Sequence, residues 1–283
     1  MLPELALLFI AGLCGGFLNS VAGGGSFITF PALLLAGVPP VSANATNTFA
    51  SCSGYLSGAY AFRSDLTRHW RELPRFLAVS LLGGVVGAWL LLKTPESLFR
   101  DAIPWLMLFA TVLFAFGGRL NQWLTRLGSL HRHASVIGRL LLLLLLLSVS
   151  VYGGFFNAGL GIIILSYLAL AGYTDINAMN GIKLLVSSAV SLIAIALFVH
   201  GGAIAWREGS VVLLGTLVGG YLAARLSRRL PQRMVRGFVI VASVAVTAAF
   251  FLARSGRRQS QPLCGLCPRT GGIGSSPVSA THA

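Results

Sequence analysis

Eight apolar zones alternate with short polar stretches along the chain, at roughly residues 5–37, 44–62, 73–92, 102–118, 138–172, 178–200, 209–225 and 236–253. Six of them are close to the ~20 residues with which an α-helix crosses a bilayer. The zones 5–37 and 138–172 are too long for one ordinary span and short for two. Small and polar residues interrupt both: Asn19-Ser20-Val21-Ala22-Gly23-Gly24-Gly25-Ser26 in the first, Asn157-Ala158-Gly159-Leu160-Gly161 in the second. Glycine weakens a helix through backbone entropy. A helix broken at membrane depth persists only where protein or a water-filled cavity satisfies the freed backbone groups. The pattern therefore predicts a re-entrant pair of half-helices in each long zone. Residues 1–10 carry Glu4 and no Lys or Arg, so they lack the basic start of a cleavable signal peptide and read as the beginning of a membrane segment.

The zones pair up as an internal repeat. Gly15-Gly16-Phe17-Leu18-Asn19 matches Gly153-Gly154-Phe155-Phe156-Asn157, and Asn44-Ala45-Thr46-Asn47 lies opposite Asn180-Gly181-Ile182-Lys183. Trp70 matches Trp206, and Gly83-Gly84 matches Gly219-Gly220, all at offsets of about 135 to 138 residues. Loop charge then orients the halves, because short cytoplasmic loops collect Lys and Arg. The loop after the second zone carries Arg63, Arg68, Arg71 and Arg75 against Asp65 and Glu72, whereas its counterpart at 200–209 holds only Arg207 and Glu208. The next loop reverses the contrast: Lys93 and Arg100 face Glu96 and Asp101 in the first half, while 225–236 holds five arginines and no acid. Equivalent loops of opposite bias are the signature of an inverted repeat.

The expected fold is thus an all-α polytopic membrane protein of two inverted repeats, each with a broken re-entrant helix pair and three full spans. It divides into a first membrane repeat (1–118), a cytoplasmic linker loop (119–137), a second membrane repeat (138–253) and a disordered tail (254–283) rich in Gly, Ser, Pro and Arg. This topology sends the tail outside, although Arg254, Arg257 and Arg258 favour the inside.

Composition supports the membrane reading and qualifies the charge. Of 283 residues, 55% are hydrophobic and 10% charged, well below the roughly 25% charged of a soluble domain. Lys and Arg outnumber Asp and Glu by 21 to 7, a formal +14. On a polar surface that balance would suggest nucleic acid. Here it is orientation charge in loops beside an anionic lipid bilayer, and no nucleic-acid partner is expected. The four cysteines make no disulfide framework, and Cys264-x-x-Cys267 has no second pair or His cluster beside it. His131 and His133 read as solvated loop residues. No P-loop, HExxH pair or Ser/His/Asp set occurs, so neither an enzyme nor a cofactor is expected, and the energy source is a gradient.

The run from Gly15 to Ser26, followed by Pro31 and Ala43-Asn44-Ala45-Thr46-Asn47, resembles the sulfite exporter TauE/SafE family of membrane permeases. So does Gly153 to Gly161, continuing to Asn180-Gly181-Ile182-Lys183; the likeness covers about residues 5–253. In the second block Asn157 stands where Gly is common, and Met179-Asn180-Gly181 where Ala-Asn-Ala is common. The resemblance implies transport of small organic or inorganic anions, often sulfur-containing, across the bacterial inner membrane.

The residues point to an anion independently. All seven acids fall in loops or at zone edges, so a carboxylate-based cation carrier has little to work with. Lys183 alone among the basic residues sits well inside an apolar zone. Burying such a cation costs roughly 2.5–3.5 kcal/mol on insertion scales and marks a functional site, unless the side chain snorkels to the interface. Gly23, Gly24, Gly25 and Ser26 would offer backbone and hydroxyl donors where a half-helix begins, or would serve packing. Asn19 and Asn157 would supply amides from the two breaks, or would cap the half-helices. Asn44 is a further candidate substrate ligand, or an N-cap. Thr46 and Asn47 would face inward as Asn180 and Lys183 do, offering a neutral and a cationic group at a common site, or would only bond helices together. The expected partner is a small anion; a homodimer is compatible with the sequence. An anion channel, an intramembrane enzyme and an assembly factor are the alternatives.

Overall fold

The computed structural model describes residues 2–22, 24–130 and 136–226, together with 237, 240, 241 and 243–252. Among them there is no strand. Two long-short helix pairs, α1 (Leu2–Ala22) with α2 (Ser26–Leu35) and α7 (Val136–Phe155) with α8 (Leu160–Leu170), occupy the two long apolar zones. The first half continues through α3 (Pro40–Ala61), the one-turn α4 (Arg63–Leu66), α5 (Leu73–Lys93) and α6 (Glu96–Leu130). The second continues through α9 (Ile176–His200), α10 (Trp206–Leu226) and α11 (Ser243–Leu252).

Local chemistry sets several of these boundaries. Pro40 opens α3 as its first residue, where a missing N–H costs nothing. Asp175 caps α9 by accepting the Asn177 N–H at 2.9 Å. Gly159, with φ of +79°, turns the chain into α8 through a left-handed conformation that a side chain would strain.

Four helices are long and apolar enough to cross a membrane among the described residues: Leu73–Lys93, Glu96–Gly117, Gly138–Phe155 and Ile176–His200. At 22 residues α3 is as long, yet it is polar: Asn44, Thr46, Asn47, Thr48 and Ser51 are all buried within the bundle. Its neighbours are helices rather than lipid, so hydropathy alone undervalues it. The outward faces are apolar, with Leu82, Trp89, Trp105, Leu141 and Leu214 exposed.

Glycine contacts hold two helix pairs together. A Cβ on Gly16 of α1 would collide with the Thr216 backbone of α10, and one on Gly219 of α10 with the Leu13 carbonyl. On the other side, Gly87 of α5 meets the Val151 carbonyl of α7, and Gly154 of α7 meets the Gly84 carbonyl. Both pairs run parallel at backbone-contact distance, which only small residues permit. Between them α3 and α9 cross antiparallel, Gly58 against Leu184 and Phe62 against Gly181. An aromatic cluster locks α2 to the end of α7 and to α6: Phe27 packs on Phe114, Phe30 on Phe156 and Phe99 on Phe155.

The helical backbone of α6 runs twelve residues past the boundary at 118 and into the segment read from sequence as a linker loop. Residues 120–127 explain why: Leu120, Trp123, Leu124 and Leu127 follow helical spacing. Residues 131–135, most of the arginine-rich stretch 225–236 and the tail 254–283 lie outside the described residues.

Candidate substrate site

The first break lies between α1 and α2, and the second is the segment Asn157–Gly159 between α7 and α8. A single series of polar contacts joins them through α3 and α9. The Tyr55 hydroxyl of α3 lies beside Ser26, the first residue of α2. It donates to Asn157 Oδ1 at 3.4 Å, and Asn157 Nδ2 in turn donates to Ser191 Oγ of α9 at 3.4 Å. Asn157 is 1% exposed and Ser191 is fully buried. Both contacts lie at the long end of hydrogen bonding, so these groups are loosely held compared with the helix backbone. Asn19 approaches the same region, its Nδ2 lying against Gly54 of α3.

The breaks themselves are built differently. Gly25 has an ordinary right-handed φ of −59°, so backbone conformation does not demand glycine there. Space does: an added Cβ would collide with the Gly15 carbonyl and press on Asn19. Gly25 therefore has a packing role, and Gly24 is buried, its carbonyl accepting the Phe27 N–H at 3.2 Å. Gly23 lies outside the described residues. Across the second break, the Tyr152 hydroxyl donates to the Ala158 carbonyl at 2.8 Å and fixes the turn. Most opening N–H groups of α2 and α8 are taken up at the breaks themselves: Phe27 and Ile28 donate to the Gly24 and Gly25 carbonyls, and Leu160 and Ile162 to those of Asn157 and Gly159.

Neither asparagine caps a helix. The residues at the capping positions are Gly25 for α2 and Gly159 for α8, and neither helix has a side-chain cap bond. Asn44 does not cap α3 either, since that helix begins four residues earlier at Pro40; Asn44 Nδ2 donates instead to the Phe155 carbonyl at 2.8 Å. Thr46 Oγ1 accepts the Ala205 N–H at 3.0 Å and ties the approach to α10 onto α3. Asn47 Oδ1 accepts from the Thr29 hydroxyl of α2. These three are engaged in holding helices together.

Lys183 sits two turns into α9, half-buried, with its stem against Gly161 of α8. Its ammonium donates to Asn180 Oδ1 at 3.0 Å, and among the described residues no carboxylate pairs with it. Because α3 and α9 are antiparallel, Asn47 and Lys183 lie toward opposite ends of the bundle, roughly 18 Å apart along the helix axes. The structure does not bring them to one site. It brings Ser26, Asn157 and the neighbourhood of Asn19 together, with Lys183 flanking from the α8 side.

Tyr55 and Ser191 were not among the residues singled out from sequence. They stand at the repeat offset that aligns Asn47 with Lys183, and each lies eight residues further along its helix. Ser51 and Ser187 stand at the intermediate, four-residue step, so α3 carries Asn47, Ser51 and Tyr55, and α9 carries Lys183, Ser187 and Ser191. Residues four and eight apart follow one side of a helix. Ser187 Oγ is buried without a hydrogen-bond partner.

This is an all-helical bundle with several membrane-length helices and two buried helix breaks. The family described as Sulfite exporter TauE/SafE matches residues 8–250, and the chain belongs to it. It is 31% identical to a Haemophilus influenzae protein named "Probable membrane transporter protein", over 86% of this chain and 93% of the relative. It is 29% identical to "Probable membrane transporter protein ORF9" of Sinorhizobium, with coverage of 86% and 90%, and 28% identical to "Probable membrane transporter protein YfcA" of Escherichia coli, with coverage of 86% and 88%. No solved structure matches. The protein is thus a multi-pass membrane protein of a transporter family.

Proposed function

We propose that this chain moves small oxyanions of the sulfite, sulfonate or thiosulfate type across the bacterial inner membrane by gradient-driven alternating access. The observation that carries this reading is the convergence of both helix breaks on Ser26, Tyr55, Asn157 and Ser191, beside a half-buried lysine with no carboxylate partner among the described residues. The positive dipole ends of α2 and α8, at the two breaks, favour negative charge. A neutral, donor-rich centre with one cation nearby suits an oxyanion and disfavours a metal cation. The long hydrogen bonds at Asn157 can be exchanged for bonds to a ligand at little cost.

An arrangement of two inverted halves around this centre is supported by the packing. Exchanging the halves turns the α1–α10 pair into the α7–α5 pair, and α2 and α8 both end on a glycine of left-handed φ, Gly37 and Gly172. The chain leaves α2 at the face where α10 begins and leaves α8 at the face where α5 begins, as re-entrant pairs would. Loop charge places the second of these faces in the cytoplasm.

Flux and counterflow in proteoliposomes test the proposal. Sulfite, thiosulfate, taurine and a simple carboxylate serve as substrates. Saturable uptake accelerated by the same anion on the far side is the expected result; flux without counterflow would indicate a channel. Lys183→Ala is expected to reduce uptake about tenfold or more, the equivalent of one lost charge contact, with partial recovery in Lys183→Arg. Unchanged uptake by Lys183→Ala at normal protein levels would remove Lys183 from the site. Thermal stabilisation only by cations would overturn the anion reading.

A further inference from the structure

A second recess lies away from the helix breaks, at the face where α5, α7 and α9 begin. It is a cleft of about 660 Å³ whose polar rim carries Arg71, Arg75 and Arg139. Its floor is aromatic: Phe76 packs against both Tyr167 and Tyr173. Its third wall is apolar, formed by Leu142, Leu143 and Leu146 of α7.

Two acids, Glu72 and Asp175, also line the cleft, so its three arginines leave it with a net positive charge. Glu72 lies 3.9 Å from the His69 ring, and Asp175 accepts the Asn177 N–H at the start of α9. The three guanidinium groups come from the turn before α5, from α5 and from α7, and none pairs with a carboxylate among the described residues. Arg71 is held over the Trp70 ring, 5.8 Å from its centroid. The cleft therefore gathers fixed positive charge above a hydrophobic wall.

That wall is continuous with the membrane-facing surface. On the same helix Leu140, Leu141, Leu144 and Leu145 are exposed, so a ligand seated among the arginines can lay an apolar tail along α7. A soluble anion would use the rim and leave the leucine wall unoccupied. An acyl-bearing phosphate uses both, and arginine is the side chain best suited to phosphate oxygens. Basic recesses between membrane helices on the cytoplasmic side bind anionic lipid headgroups, and this face carries the arginine-rich loop 63–75.

We infer that this cleft is a binding site for an anionic phospholipid, with the phosphate held by Arg71, Arg75 and Arg139 and one acyl chain lying against Leu142, Leu143 and Leu146. The site is separate from the proposed substrate centre and does not depend on the transported anion.

Lipid titration of the purified protein in neutral detergent, read by native mass spectrometry and thermal stability, tests the assignment. The ligands are phosphatidylglycerol, phosphatidylcholine and inorganic phosphate. Phosphatidylglycerol is expected to be retained and to raise the melting temperature, while the other two have little effect. Each arginine neutralised to glutamine should weaken that binding roughly fivefold, the equivalent of about 1 kcal/mol per basic residue near an anionic surface. The triple variant Arg71→Gln, Arg75→Gln, Arg139→Gln should therefore lose about a hundredfold. The triple lysine variant should keep most of the binding, and Arg207→Gln on the opposite face all of it. If the triple variant is not made, Arg139→Gln alone carries the test. Undiminished retention of phosphatidylglycerol by the glutamine variants would overturn the site. Equal stabilisation by inorganic phosphate would make it a soluble-anion site, and equal retention of phosphatidylcholine would reduce it to a hydrophobic groove; either result overturns the assignment.

Discussion

Asn157 is the residue on which the two halves meet. Its carboxamide accepts from Tyr55 and donates to Ser191, so its removal leaves two buried hydroxyls without that partner. Asn157→Ala is expected to lower stability by about 1–3 kcal/mol, the usual cost of orphaned buried polar groups, and to weaken anion binding further. Tyr55→Phe keeps the ring but leaves the buried Asn157 Oδ1 without its donor, so it should cost about 1 kcal/mol, the lower end of that range, and anion affinity should fall further. Denaturation of the detergent-solubilised variants with and without anion separates the two effects. At Gly159 the constraint is conformational: Gly159→Ala forces a side chain into φ near +79°. It should cost about 1–2 kcal/mol, lowering the melting temperature by a few degrees.

Among elements, the parallel pairs α1–α10 and α5–α7 bear the closest packing. Gly87→Leu or Gly219→Leu would drive a branched side chain into a facing carbonyl, and neither helix can withdraw without opening the bundle. Overpacking of this kind typically costs 1–3 kcal/mol, and backbone-on-backbone contact puts these positions at or above the upper end. Both variants should give little folded protein, measured as the monodisperse fraction in gel filtration. Leu214→Ala, on the exposed face of α10, should behave as the parent does.

The element level also shows what hydropathy reveals and what it hides. The apolar zones located the helices because lipid contact selects for apolar residues. The edges of α3 and α6 were less legible, since α3 starts within a Pro39-Pro40 pair that reads as a break and 119–130 is amphipathic rather than uniformly apolar. Likewise Lys183 and the two breaks stood out in the sequence because charge and glycine are costly in such a zone. Tyr55 and Ser191 did not, because an aromatic residue or a serine within a membrane helix ordinarily reads as packing. Their pairing through Asn157 is a property of the folded chain.

Over the whole molecule, the described loops divide into two faces. The connection 62–72, with its one-turn α4, and residues 171–175 lie at one, and 36–39, 94–95 and 201–205 gather at the other, where Val41 N–H donates to Glu96 at 3.2 Å and Ala205 N–H to Thr46. Single cysteines placed at Ser64 and Thr174 in a cysteine-free background should react with a membrane-impermeant thiol reagent from the same side. One at Ser97 should react from the other side. Labelling of Ser64→Cys and Ser97→Cys from one side would refute the proposed topology.

The pairing of α1 with α10 also bears on biosynthesis. Helix α1 finds its closest-packed partner only after α2 to α9 have been made. Until then its glycine face, with Gly12 and Gly16, stays uncovered in the lipid. A chain truncated before residue 206 would leave that face of α1 without its partner.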